Sequence, residues 1–278
     1  MCEFCTQHGD GKKWYLQAKN YADDLASDLE RVEKTIARLN YFNDGRFRRD
    51  YLLMERAYPR MPARLRRIYA ARFTRQQKGT HFGQVVPIED IEAIFPILNS
   101  IVRLPCVCRK ATTGKEVAYC LGISASPGTA MGQLLCNSFD HGPDTSAVDR
   151  LTPEEALDFM RGLEQKGIMH SVWTFETPFI GAICNCDRTD CVATRATVHH
   201  GLKVMFKGEY IAQVDIDLCT GCKNCAKLCQ FDAITVADRK ARVDLSKCYG
   251  CGTCRAGCTK GAITLSDRNL IPAVANDW

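Results

Sequence analysis

The sequence is short of most features by which a membrane protein or a common enzyme class announces itself. No apolar run reaches the about 18 residues needed to cross a bilayer. The opening stretch MCEFCTQHGDGKKWYLQAKN has no basic segment leading into an apolar one, which argues against a secretory signal. There is no G-x-G-x-x-G turn for a nicotinamide or flavin, and SPGTAMG (residues 126–132) lacks the lysine and the spacing of a phosphate loop. No nucleophile–base arrangement stands at a diagnostic spacing, so catalytic residues stay unassigned. These absences exclude a membrane span and the dinucleotide and phosphate-loop classes, and leave the expectation of a reducing, cytoplasmic setting.

What is abundant is cysteine, 17 in 278 residues. In a reducing compartment so many thiols read as metal ligands rather than as bridges. With 46% hydrophobic residues the chain can also bury a real core. Composition divides it into three parts. Residues 1–79 are expected to form a helical, basic N-terminal arm. Tyr21, Leu25, Leu29, Val32, Ile36 and Leu39 recur there at helical spacing, and residues 46–78 hold eleven Lys/Arg against Asp50 and Glu55. Pro59 and Pro62 divide that basic segment into two helical pieces. Residues 80–203 form a central cysteine-rich domain of mixed helix and strand, and residues 204–278 contain a repeat. The fold class is α+β, with helix outnumbering strand.

The repeat is the strongest signal. Cys219, Cys222, Cys225 and Cys229 return 29 positions later as Cys248, Cys251, Cys254 and Cys258; VDIDLC returns as VDLSKC, and Ala233-Ile234-Thr235 as Ala262-Ile263-Thr264. This doubled C-x2-C-x2-C-x3-C resembles the bacterial two-[4Fe–4S] ferredoxin over the last quarter of the chain. The resemblance implies two [4Fe–4S] clusters with crossed ligation. One takes Cys219, Cys222, Cys225 and Cys258; the other takes Cys248, Cys251, Cys254 and Cys229. Three thiolates two residues apart wrap one face of a cubane, and the fourth cysteine turns toward the other cluster. Gly221, Gly250 and Gly252 suit loops whose amides face inward. Ile216, Leu218, Ile234, Val243, Leu245 and Ile263 are expected to keep water away. One departure stands out: the ferredoxin pattern places proline after each fourth cysteine, where this chain has Gln230 and Thr259. Proline there shapes the chain and is no ligand. Two zinc sites are the competing reading, against which the constant offset weighs.

The central part carries a fainter repeat. VPIEDIEAIFPILNSIVRLPCVC reads as helix, strand, then Cys106-x-Cys108. LTPEEALDFMRGLEQKGIMHSVWTFETPFIGAICNC reads as helix, glycine stop at Gly167, strands, then Cys184-x-Cys186. Thr152, Pro153 and Glu155 spell a capping box at the second helix start. On extended chain both thiols of a C-x-C pair fall on one face. A third [4Fe–4S] cluster is therefore expected on Cys106, Cys108, Cys184 and Cys186, with quartets using Cys120 or Cys191, or simple buried thiols, as alternatives. LPCVCR, GIMHSVWTF, TPFIGAICNCD and the tail together resemble a loosely characterised group of anaerobe iron–sulfur dicluster proteins, which implies a redox role.

Several residues stay open at this level. Cys2-x2-Cys5 followed by His8 offers three donors to zinc or iron, or two spare thiols. Cys136 is unassigned, as are the oligomeric state and the electron donor and acceptor. Arg109 suits either a cluster sulfur or a substrate carboxylate, and His170 reads as a core histidine before a ligand.

Residues 210–278 carry nine Lys/Arg against seven Asp, unlike the strongly acidic free ferredoxins, which favours a wired-in relay. The expected function is single-electron transfer, as a protein or subunit, to or from a partner oxidoreductase in anaerobic metabolism. That partner is expected to dock on residues 46–78, with no nucleic acid. The alternatives are a redox enzyme with a catalytic metal centre in the central domain, fed by the tail, and a nucleic-acid-binding or assembly factor with structural clusters.

Overall fold

A computed structural model describes residues 2–21, 29–125 and 149–278. The fold is mixed α+β, with 44% of the described residues in helix against 20% in strand, so helix outnumbers strand among them. Seven strands make one sheet: β1 (Gly83–Val86), β2 (Ser100–Leu104), β3 (Cys120–Ser124), β4 (Asp149–Arg150), β5 (Met169–Thr174), β6 (Ile180–Cys186) and β7 (Met205–Phe206), in the order β4-β2-β3-β6-β5-β1-β7. Among the described residues only β1 and β7 pair in parallel. The predicted capping box forms: Thr152 accepts from the Glu155 amide, Glu155 reaches back, and the helix Pro153–Glu164 follows, with Gly167 at φ 79° beyond it.

Alternation along the strands gives the sheet two different faces. Val86, Val172, Leu121 and Ile183 face one core, filled by Phe4, Trp14 and Tyr15 of the N-terminal segment and by Ile91, Ile94 and Met160 of two covering helices. Val85, Met169, Trp173 and Ala182 face the other, where Cys186 and Cys191 pack beside Ile211, Cys248, Cys251 and Cys254 of the C-terminal part. The cysteine-rich centre and the repeat therefore share one continuous core.

Among the described residues the basic arm holds helices Leu29–Asn43, Arg46–Ala57 and Ala63–Thr80, the last two divided by a 3-10 turn at Tyr58–Arg60, as the prolines dictate. Leu25 and the SPGTAMG stretch lie outside the described residues. The helix Ala63–Thr80 buries no residue, and no helix among those described is long and apolar enough to cross a membrane. The helix Arg46–Ala57 is anchored through Glu55, one of its two acidic residues. Arg195 Nε and Nη2 donate to Glu55 at 3.1 and 3.0 Å, and His200 joins them. Burial would raise the Glu55 carboxyl, but these hydrogen bonds outweigh it and hold it at about 2.

The repeat folds as a pseudo-twofold unit. β8 (Tyr210–Val214) pairs with β11 (Ile263–Asp267), and β10 (Lys240–Val243) pairs with β9 (Ile234–Ala237), both antiparallel. Val214 faces Ile263 just as Val243 faces Ile234, so the offset of the sequence is also the operator of the fold.

Candidate metal centres

Glycine placement follows the same operator at one position of each loop, while Gly252 at φ 82° has Lys223 at φ 67° as its counterpart. Gly221 at φ 70° and Gly250 at φ 72° turn the two cysteine loops. A Cβ at Gly221 would lie 2.4 Å from the Arg239 carbonyl oxygen, and one at Gly250 would lie 2.2 Å from that of Tyr210. Both positions need the left-handed conformation and the missing side chain at once.

Four alanine amides donate to sulfur. Ala233 N reaches Cys229 Sγ at 3.3 Å and Ala262 N reaches Cys258 Sγ at 3.2 Å, each within its own half. Ala241 N reaches Cys219 Sγ at 3.4 Å and Ala212 N reaches Cys248 Sγ at 3.5 Å. The halves thus supply one another with donors, and a small side chain at each amide leaves the sulfur side clear. Cys219, Cys222, Cys225 and Cys258 line a single cavity, so the structure brings together the first quartet read from the sequence. Cys248, Cys251, Cys254 and Cys229 form the other group, each of the first three in the electrostatic field of Cys229. Inward amides, close-approach glycines and converging thiols all fit a [4Fe–4S] cluster in each quartet.

The two quartets differ in burial. Cys222 is exposed, Cys219 and Cys258 are half-buried and Cys225 is buried, whereas Cys248, Cys251 and Cys254 are buried and Cys229 is half-buried. Amides of Ala241 and Gly221 lower the Cys219 thiol below its ordinary range. Burial raises its counterpart Cys248, despite the equivalent amides of Ala212 and Gly250, and pushes Cys251 up to about 12. Shielding is likewise uneven. Ile234 and Ile263 are buried, but Ile216 and Leu218 are 58% and 51% exposed and exclude no water. They lie in the open half, where nothing among the described residues covers them as the central sheet covers the other half.

The central part gathers six cysteines rather than four. Cys184 and Cys186 share a face of β6 as expected, but Cys106 caps the helix Val107–Thr113 and Cys108 sits in its first turn, so that pair is not on extended chain. Helix-compatible residues run from Val107 to a left-handed Gly114, and the helix wins. Cys191 caps the helix Val192–His200 in the same manner. The sequence signal was present: Cys106-Val107 with Ala111-Thr112 matches Cys191-Val192 with Ala196-Thr197. Cys120 Sγ lies 3.3 Å from Cys106 Sγ, and Cys191 Sγ lies 3.3 Å from Cys186 Sγ. Cys120 also interacts electrostatically with Cys184, and Cys108 with Cys191. Cys120 and Cys191, held in reserve by the sequence reading, are full members of the nest.

Neighbouring thiols and burial push Cys106, Cys108 and Cys186 well up, while hydrogen bonds from Cys108 and Cys186 and the Thr194 amide pull Cys191 well down. Arg109, buried, donates from Nη1 to Cys106 Sγ at 3.6 Å and to the Asn185 carbonyl at 2.9 Å, and it ion-pairs with Asp187. Its partner is therefore sulfur and structure. A cationic donor against clustered cysteine sulfurs suits a polynuclear metal centre. His170 is a core residue on the opposite face: Nδ1 meets Asn185 Oδ1 at 2.6 Å, Nε2 has no partner among the described residues, and burial lowers the ring to about 4.

Gln230, the residue found in place of the ferredoxin proline, ties the buried quartet to this nest. Its Nε2 donates to the Gly167 carbonyl at 2.7 Å, and its Oε1 accepts from the Arg188 amide at 2.9 Å. Cys229 and Cys186 are thus joined by one side chain and three intervening backbone links, reinforced by the Arg188–Asp232 ion pair. Thr259, at the equivalent point of the open half, is exposed.

Cys2 and Cys5 are buried against the sheet, with Glu209 rather than His8 beside them. Cys136 lies outside the described residues. A search of curated proteins found no match to the chain. Residues 218–262 match the family model of the 4Fe-4S dicluster domain. That part of the chain is a 4Fe-4S dicluster domain, which implies two clusters and electron transfer.

Proposed function

We propose that the protein is a wired-in electron relay in anaerobic metabolism, carrying single electrons between an external carrier and a partner oxidoreductase. The [4Fe–4S] groups supply one-electron chemistry when bound. Cys219, Cys222, Cys225 and Cys258 hold the open one, and Cys248, Cys251, Cys254 and Cys229 the buried one. The central nest holds a third iron–sulfur centre. Its six thiols exceed the four that one [4Fe–4S] cube requires, so Cys120 and Cys191 join Cys106, Cys108, Cys184 and Cys186 as candidate ligands.

The observation that carries this reading is the order of burial. The more open quartet, with the exposed Cys222 and flanked by the uncovered Ile216 and Leu218, is followed by the more buried quartet and then, across Gln230, by the nest. Such a series gives electrons an entrance and an interior route. The helix Arg46–Ala57 packs on the nest side, with Tyr51 against Ala111 and Val192 and with Cys108 at the edge of that contact. The basic segment 46–78 then presents its arginines outward to an acidic redox partner.

The test is reduction of the anaerobically prepared protein by a low-potential donor, followed by electron paramagnetic resonance. Three interacting paramagnetic centres are expected. A protein that accepts no electron from any low-potential carrier while its iron is intact would overturn the relay.

A further inference from the structure

The N-terminal Cys2-x2-Cys5 belongs to neither quartet nor nest. Cys2 Sγ and Cys5 Sγ are 3.4 Å apart, and Cys5 Sγ is 3.0 Å from Glu209 Oε1. All three donors lie within 4.8 Å of one another. Both cysteines are 0% exposed and Glu209 is 3% exposed.

The surroundings are already arranged for such a group. Gln84, itself fully buried, aims its amide nitrogen at Cys2 Sγ (3.7 Å), at Glu209 Oε1 (3.4 Å) and at the Lys207 carbonyl (3.0 Å). Its oxygen accepts from the Trp14 indole, which fixes the orientation of the amide. Glu209 has no lysine or arginine in ion-pair contact among the described residues; the nearby Lys13 is taken by Asp90 and Lys207 by Asp277. The buried Arg268 stands in the electrostatic field of Glu209 without pairing with it, its side chain donating instead to the Gly208, Tyr210 and Cys248 carbonyls. Two thiols and a carboxylate are thus buried together with no cation bound directly to them among the described residues.

We infer that Cys2, Cys5 and Glu209 bind one mononuclear divalent ion of borderline softness, with Zn²⁺ as the occupant. Two thiolates and a carboxylate oxygen form a donor set that zinc takes readily, and the Gln84 amide serves as the outer-shell donor that holds two of them in place. The fourth position falls to a small exogenous ligand such as water. Both thiols lose their protons on binding, so two protons leave as the ion enters. No electron is transferred. The site joins three parts of the molecule: the N-terminal helix Glu3–His8, strand β1 through Gln84, and the Lys207-Gly208-Glu209 link into the dicluster domain. It is a staple at the junction of sheet and relay, and it is independent of whether the nest holds a cluster.

The experiment uses the full chain, prepared without oxygen. Zinc, iron and sulfide are counted in the wild type and in the Cys2→Ser/Cys5→Ser double variant, before and after exposure to Zn²⁺ and desalting, with X-ray absorption at the zinc edge. About one zinc per chain is expected in the wild type, with two sulfur neighbours near 2.3 Å and lighter atoms near 2.0 Å. The double variant should lose that zinc and keep its iron. Glu209→Gln, which preserves shape, should release zinc to a chelator about tenfold more readily or faster still. Should the double variant lose iron as well, the zinc-edge spectrum of the wild type and the Glu209→Gln comparison decide instead. Zinc absent from the wild type even after Zn²⁺ exposure would overturn the proposal. So would zinc surrounded by four sulfurs, or a Cys2–Cys5 disulfide found by non-reducing alkylation.

Discussion

The two halves of the C-terminal repeat share a cysteine pattern, a strand register and the same glycine and alanine devices, yet one faces solvent and the other faces the sheet. Their ligand chemistry is the same to the residue, so the difference lies in what packs around it. The sharpest measure is the pair Cys219 and Cys248. Equivalent amides point at both sulfurs, but the first thiol is pulled down by those amides while the second is pushed up by burial. A duplicated motif thus becomes two unlike sites once one copy is covered. That asymmetry is what gives a two-cluster domain an outside and an inside.

The largest effects should come from emptying the buried half. Cys251→Ser should cost more than half of the about eight irons of the tail and its resistance to protease, because so small a unit draws its stability from its metals. Cys222→Ser should cost about half and leave the fold in place. Iron and sulfide counts with limited proteolysis check both, and equal losses from the two variants would erase the comparison. Next come the glycines. Gly250→Ala should destabilise the cluster-loaded protein by about 2 kcal/mol or more, and Gly221→Ala by less, since Arg239 lies in an exposed turn that can give way. Thermal or denaturant unfolding under nitrogen measures the difference.

A smaller effect is expected at the tie between the buried quartet and the nest. Gln230→Ala removes two hydrogen bonds and should cost about 1–3 kcal/mol, and Gln230→Pro, which restores the ferredoxin proline, should do no better. Both should slow electron equilibration between the tail and the nest while leaving reduction of the tail intact, which freeze-quench spectroscopy separates. A Gln230→Pro protein that behaved as wild type would remove the tie from the account. The smallest effect is chemical: a mild oxidant with an alkylating reagent, applied to the cluster-loaded protein, should release and modify Cys222 before Cys251 or Cys254, as peptide mapping would report.

Much of this was legible in the sequence, and for physical reasons. The repeat, its glycines, the Thr152 capping box and the proline break at residues 58–62 are local rules, satisfied within a few residues of where they are written. What stayed hidden depends on contacts between distant segments. Cys106-x-Cys108 read as extended, but helix formers and Gly114 placed it at a helix start, where it meets Cys120 and Cys191 across the sheet. Ile216 and Leu218 read as a shield because burial was inferred from hydrophobicity, whereas only the half facing the sheet is covered. Gln230 looked like a departure from a motif and is a contact with Gly167 and Arg188. Glu209 carried no signal, since a single carboxylate about 200 residues from a C-x2-C pair has no pattern to belong to.

The proposed relay requires that the six-cysteine nest hold an iron–sulfur centre in line with the buried quartet. Its most direct test is iron and acid-labile sulfide per chain, measured on anaerobic wild type and on a Cys120→Ser/Cys191→Ser variant. About twelve irons or more are expected in the wild type, falling toward about eight in the variant with the tail signals unchanged. About eight irons in both proteins would contradict it, and the relay would end at the buried quartet.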